Sequence, residues 1–541
     1  MGGPRLRHLP AAHPRRLVVR PPGRAQRTRL RPAGGGPTRP VSTPDHMASW
    51  VAVAVVVLAT VLVGGFGLRI SRTTSDFYVA SRTVRPRLNA AAISGEYLSA
   101  ASFLGVAGLV LVHGPDMLWY PVGYTAGYLV LLVFVAAPLR RSGAYTLPDF
   151  AEGRLESRQV RRLVSALVVG AGWLYLVPQL QGAGLTLKIL TGAPGWLGDV
   201  LVATVVAAAV AAGGMRSITF VQVFQYWLKL TALLVPALFL VLAWQGDGRP
   251  RVSFDDQLAV FRADHPLYAT YGLIVATFLG TMGLPHVVVR FYTSPNGRDA
   301  RRTTVAVLAL VGLFYLLPPI YGALGRLYTP ELRYGGDADA AVLLLPARVI
   351  GGLGGDFLGA LIAGGAFAAF LSTASGLTMA VAGVITQDVL PSRGVRHFRL
   401  ATVLAIAVPL AGSLLVSRVP VADAVGMAFA VSASSFCPLL VLGIWWRRLT
   451  PPGAVAGLLL GGGSALLAVA ITVSGAVRPP GWPHALLAWP AVWSVPVGFL
   501  AMILVSLATP GRIPPGTNAA MTRFHLPEAL SSARAAVGRE R

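Results

Sequence analysis

The chemistry-bearing residues of this chain sit where a soluble protein would not put them. The stretch Leu88–Val112, LNAAAISGEYLSAASFLGVAGLVLV, is long and apolar enough to cross a bilayer, yet Ser94, Gly95, Glu96, Ser99 and Ser102 interrupt it. A carboxylate at that depth costs roughly 2.5–3.5 kcal/mol or more, which makes Glu96 a functional candidate by default. A helix that breaks at Ser94–Tyr97 frees backbone carbonyls that can hold a cation. A second segment, AFAAFLSTASGLTMAVAGVITQDV, sets Ser372 and Thr373 side by side among alanines, with Ser375 and Thr378 close behind. Such hydroxyls often bond only their own helix. Combined with carbonyls from a broken helix, they would also make an oxygen shell of low net charge, which suits Na⁺. A third segment, YATYGLIVATFLGTMGLPHVVVRFYT, is interrupted by Gly280, Gly283 and Pro285, and the proline removes a helical hydrogen bond.

Other polar residues fall in apolar surroundings. Lys229 lies near mid-depth of its span, with snorkelling, structural pairing and anion attraction all open to it. Gln179 and Gln181 are central in theirs and could line a pathway or join helices. His286 reads as a structural hydrogen-bond partner, Arg290 as the interfacial end of its span, and Cys437 as a small packed residue. An intramembrane enzyme would need clustered His, Asp or Glu, or a nucleophile beside a base. The nine histidines are scattered and show no H-E-x-x-H spacing, so the chain is not expected to be an enzyme.

These residues need helices to position them. The 541 residues are 54% hydrophobic and 12% charged, about half the charged share of a soluble domain. That composition predicts an all-α integral membrane protein. Apolar runs of about 20 residues place thirteen spans near 48–67, 88–112, 116–139, 161–187, 196–213, 218–244, 268–291, 303–325, 355–386, 400–417, 421–445, 453–474 and 484–508. The net charge of +25 would suggest nucleic acid in a soluble protein. Here the arginines crowd alternate loops, as at Arg82, Arg85 and Arg87 or Arg140, Arg141 and Arg154, while the loop between spans two and three has none. By the positive-inside rule the N-terminus is then outside and the C-terminus cytoplasmic, in a bacterial-type cell membrane. Residues 1–46 break that pattern with ten arginines and read as a disordered tail; Met47 is a candidate start. Residues 47–508 form the transmembrane domain and 509–541 a cytoplasmic tail. Neither a nucleic-acid partner nor an obligate protein partner is expected beside the lipid bilayer.

The two interrupted spans lie five apart and therefore run in opposite directions. Gly/Pro-interrupted spans at matching positions of two halves point to an inverted repeat with a binding site at its interface. The motifs DFYVASR at Asp76–Arg82, ISGEYLSAASFLG at Ile93–Gly105, YTLPDF at Tyr145–Phe150, GGMRSITFVQVFQYWLK at Gly213–Lys229, GLPHVVVRFYT at Gly283–Thr293, FLSTASG and WWRRLTPPGAVAG at Trp445–Gly457 resemble the sodium:solute symporter family. Within it, the chain is most similar to the cation/acetate and monocarboxylate permeases. The resemblance implies a LeuT-type 5+5 inverted repeat working by alternating access. It implies Na⁺ as coupling ion, held by the carbonyls of Ser94, Tyr97 and Ala369 and the hydroxyls of Ser372 and Thr373. It sets Thr277, Thr281 and Pro285 against the substrate and Glu96 near the entry of the cation; Ser99 and Gln179 join the substrate pathway as candidates from their own polar positions in apolar spans. The expected function is Na⁺-coupled symport of a small monocarboxylate such as acetate, propionate or pyruvate. Symport of another small solute (proline or a sugar, with Na⁺ or H⁺), a passive channel and a nutrient receptor are the alternatives.

Overall fold

The computed structural model describes residues 46–70, 79–254, 265–334, 337–390, 394–416, 420–475 and 481–527. The expectations for the tail before His46 and for residues 528–541 lie outside the described residues. Among the described residues the fold is all helical. Of the described residues, ten helices are long and apolar enough to cross a membrane, and two bent pairs raise that to as many as twelve.

The chain enters as α1 (His46–Ile70) and then α2 (Pro86–Tyr97), whose first turn holds Pro86, where no helical N–H is lost. α2 and α3 (Ala101–His113) form the first bent pair, at 70°. Gly114, at φ 82 and ψ −154, turns the chain into α4 (Pro115–Ser142), a conformation that only glycine adopts cheaply. The YTLPDF motif proves to be a helix start: Thr146 and Asp149 form a reciprocal capping box on α5 (Leu147–Leu155). α6 (Arg158–Thr191) follows. α7 (Gly195–Gly246) has 52 residues, roughly 78 Å of helix, too long for one crossing. It breaks at Gly214, at φ 55 and ψ −154. That position falls between the fifth and sixth apolar runs of the sequence.

The second bent pair, α8 (Pro266–Gly283) and α9 (Pro285–Phe291), turns by 41° at Leu284. Then come α10 (Gly297–Tyr328), the short α11 (Ala341–Val349), α12 (Gly352–Val389), α13 (Val395–Leu415), α14 (Val421–Trp445), α15 (Pro451–Ser474), α16 (Trp482–Ala488), α17 (Ala491–Ala508) and α18 (Thr517–His525). α12 and α14 are the central helices: 83% of the apolar stretch of each is buried, against 28% for α1, whose Val51, Leu58 and Leu62 face outward as lipid-facing residues do. α12 is rich in Gly and Ala, so backbones approach closely. It packs on α7, α6 and α1, while α8 packs between α4 and α14. The α2 break sits where α12 and α7 meet, and α9 leans against both α12 and α2.

Candidate cation and substrate site

α2 ends when Leu98 leaves the helical region at φ −74 and ψ 85. A break in mid-bundle strands backbone groups away from water, and each of them needs a partner. The Glu96 carbonyl accepts from Thr373 Oγ1 at 2.6 Å, across from α12. The Ala100 N–H donates to Gln179 Oε1 of α6 at 3.1 Å. The carbonyls of Gly95 and Leu98 both accept from Lys229 Nζ of α7, the latter at 2.8 Å. Lys229 gives its third proton to Ser372 Oγ at 2.8 Å, and Ser372 in turn donates to the Ala369 carbonyl at 3.1 Å. A lysine ammonium has three donors, and here three uncharged oxygens take them all.

Beside this knot lies a buried ion pair. Arg290 Nε meets Glu96 Oε2 at 2.5 Å, with side chains only 1% and 2% exposed. The guanidinium also donates to Thr219 Oγ1 at 2.9 Å and to Gln222 Oε1. Gln222 Nε2 closes the network onto the Ser372 carbonyl at 2.9 Å and Glu96 Oε2 at 3.3 Å. Such a fork of donors is what Arg supplies and Lys does not. Close helix approach makes it possible. A Cβ at Gly376 would run into Glu96, and one at Gly95 into the Gln222 carbonyl. Arg290 is therefore not the interfacial end of its span, as its sequence position suggests. The 41° turn at Leu284 carries it into the bundle. Glu96 and Arg290 pair with each other, and Lys229 is a further ionisable group in the cluster, fully buried.

The expected ligands are partly assembled. Ser372, Thr373 and Ala369 stand on α12 facing the break. The Ser94 carbonyl stays inside α2, accepting the Leu98 N–H at 3.1 Å. Tyr97 turns its hydroxyl to Thr281 Oγ1 at 2.8 Å and to the Tyr124 carbonyl at 3.1 Å. The carbonyls that meet Lys229 beside Ser372 belong to Gly95 and Leu98, each one residue beyond the expected Ser94 and Tyr97. This donor set suits a single cation, and the Lys229 ammonium sits in it. A second unit charge about 4 Å away would be repelled by about 4 kcal/mol at an effective dielectric of 20. With Lys229 in that seat, the residues do not fit Na⁺ as well.

The expected substrate residues ring the cluster. Thr277 donates to the Leu273 carbonyl at 2.8 Å and Thr281 to the Thr277 carbonyl at 2.7 Å, so both hydroxyls serve their own helix first. Ser99 bonds Tyr175. Pro285, His286 and Tyr175 line a void of about 10 Å³, room for about one water. Tyr97, Tyr124, Tyr128, Tyr315 and Phe429 form an aromatic box, with Tyr97 and Tyr128 4.7 Å apart and Tyr124 and Phe429 4.8 Å apart. The buried hydroxyls of Tyr124 and Tyr128 have no partner. Above the box opens a cavity of about 300 Å³, walled by Met117, Tyr120, Leu273, Ala276, Asp423 and Met427. Asn89 holds the Arg290 carbonyl at 3.3 Å, and Arg161 pairs with Asp149, Glu152 and Asp388 at 2.8, 2.5 and 2.5 Å.

Four site residues lacked an assignment of this kind from sequence: Thr219, Gln222, Lys229 and Arg290. Three carried a signal. Thr219, Gln222 and Lys229 recur at helical spacing on α7 and draw one polar stripe on an apolar helix.

Comparisons with known proteins bear on the family and the fold of the chain. The family model of the sodium:solute symporter family matches residues 77–461. An uncharacterised symporter of Bacillus subtilis, YwcA, is 30% identical over 488 residues, 84% of this chain and 93% of that protein. A monocarboxylic acid transporter of Corynebacterium glutamicum is 30% identical over 510 residues, 85% of this chain and 91% of that protein. Among solved structures, a substrate-bound, outward-open Na⁺-coupled sialic acid symporter superposes with a TM-score of 0.62 at 15% identity, covering 85% of this chain and 98% of that one. MhsT in complex with L-phenylalanine gives 0.51 at 16% identity, covering 79% and 98%. These are LeuT-type folds.

Proposed function

The chain belongs to the sodium:solute symporter family, and from that premise we propose that it is a secondary active importer of a small monocarboxylate such as acetate, propionate or pyruvate. The observation that carries this reading is Lys229, buried and held by uncharged oxygens beside the Glu96–Arg290 pair. An anionic substrate would give an ammonium at Lys229 its counter-ion, whereas proline or a sugar would not. The relative that transports monocarboxylic acids supports the same class. The aromatic box suits a short acid: its rings enclose an alkyl group while the unpartnered Tyr124 and Tyr128 hydroxyls offer donors to a carboxylate. Thirteen spans in a 5+5 inverted repeat, N-terminus outside, would place the 300 Å³ cavity on the external side and the Arg161 ties on the cytoplasmic side. The substrate would descend past Tyr120, and rocking of the bundle would open the Arg161 ties.

Two coupling cations are compatible with this reading. The family and the paired hydroxyls Ser372 and Thr373 favour sodium; the seat taken by Lys229 favours a different ion. Proteoliposome uptake of labelled acetate, propionate, pyruvate, proline and glucose, under imposed sodium or proton gradients, tests the substrate class. Accumulation of the short acids alone is expected. Accumulation of proline or glucose in their place overturns the assignment, as does acid flux that equilibrates without concentrating, the behaviour of a channel.

A further inference from the structure

We propose that Lys229 is a tethered replacement for the coupling sodium ion: its ammonium holds the oxygen site of Gly95, Leu98 and Ser372, so this chain binds no sodium there and takes up its substrate independently of sodium. The proposal rests on the transporter reading but not on which acid is carried.

Three observations converge on it. First, the acceptors are the kind that gather around a metal cation: two carbonyls released by a helix break and a hydroxyl from the facing helix. Second, the lysine is fitted to the site. It is fully buried at mid-helix, and the bare Gly95 lets α7 come close enough for Nζ to touch the broken helix. Third, the alternative partner is already engaged. Glu96, the nearby carboxylate, gives Oε2 to Arg290 and Gln222. Removing the ammonium would strand two buried carbonyls, so the side chain that blocks sodium also holds the break together. Thr373, the second of the paired hydroxyls, is engaged with the Glu96 carbonyl.

The test uses the purified full chain and two readouts, equilibrium binding of ²²Na⁺ and carboxylate uptake in sodium or choline medium at one pH. The wild type is expected to bind no ²²Na⁺ saturably and to transport equally in both media. Lys229→Ala vacates the seat and is expected to gain saturable ²²Na⁺ binding, which Ser372→Ala in the same chain removes. Saturable wild-type binding that Ser372→Ala abolishes overturns the proposal, and so does wild-type uptake that stops in choline. Both of those measurements need no Lys229 variant to fold. Absence of carboxylate uptake in every medium, with no ²²Na⁺ bound by the wild type, refutes the monocarboxylate reading and leaves the Lys229 assignment standing.

Discussion

The two broken spans solve the same problem in opposite ways. The break after Tyr97 bends by 70° and is saturated with partners: Lys229, Thr373 and Gln179 reach it from three different helices. The break at Leu284 bends by 41°, loses a single residue from the helix and is packed mainly by apolar and aromatic groups. Its polar neighbours are left idle, since neither ring nitrogen of His286 nor the Ser432 hydroxyl has a partner. A short break led by a proline strands few backbone groups, because Pro285 has no N–H to satisfy. The longer break must recruit side chains, and those side chains bring charge. The first break is thus a pinned joint and the second a loose one, and Arg290 links them, reaching from α9 to Glu96 on α2.

The sharpest attack on this comparison cuts that link. Arg290→Met leaves Glu96 buried without its counter-ion, which should lower stability by about 3–5 kcal/mol. Thermal unfolding in detergent should show a large downward shift and uptake should vanish. Pairing it with Glu96→Gln removes the stranded charge, and the double variant should regain most of the lost melting temperature. If the double variant is no more stable than Arg290→Met, the two breaks are not joined by charge. A smaller effect is expected at the pinned joint itself. Gln179→Leu strands the Ala100 N–H at a cost of about 1–3 kcal/mol, again read by thermal unfolding. An unchanged melting temperature would mean that the break is held without α6.

Much of this arrangement is legible in the sequence. Gly95, Gly280, Gly283 and Pro285 mark both breaks, the apolar runs separate at Gly214, and Ser372–Thr373 stands out among alanines. The finer geometry is not legible, for two reasons. Which carbonyls a break releases depends on which N–H groups remain helical: the Leu98 N–H keeps Ser94, and the freed pair moves to Gly95 and Leu98. The partners of Glu96 depend on how closely helices approach. Arg290 and Gln222 lie far away in sequence, and a Cβ at Gly376 or Gly95 would run into Glu96 or the Gln222 backbone where they meet. Lys229 shows as a buried charge in the sequence, but its role appears only once the acceptors around it are known.

The smallest effect is expected at the loose joint. His286 is fully buried and sits 5.5 Å from the Tyr175 ring, yet neither of its nitrogens donates or accepts. Replacing such a group by an apolar one of similar shape should be nearly neutral, because no hydrogen bond is lost and a desolvated polar ring is removed. His286→Phe should therefore shift stability by less than about 1 kcal/mol, in either direction. Uptake kinetics carry the second half of the test. If the idle nitrogens serve the substrate, as a place beside the void at Pro285 suggests, KM for the acid should rise while the melting temperature holds. A fall in melting temperature as large as that of Gln179→Leu would show that His286 pins the second break after all. The difference between the two joints would then be one of bend angle alone.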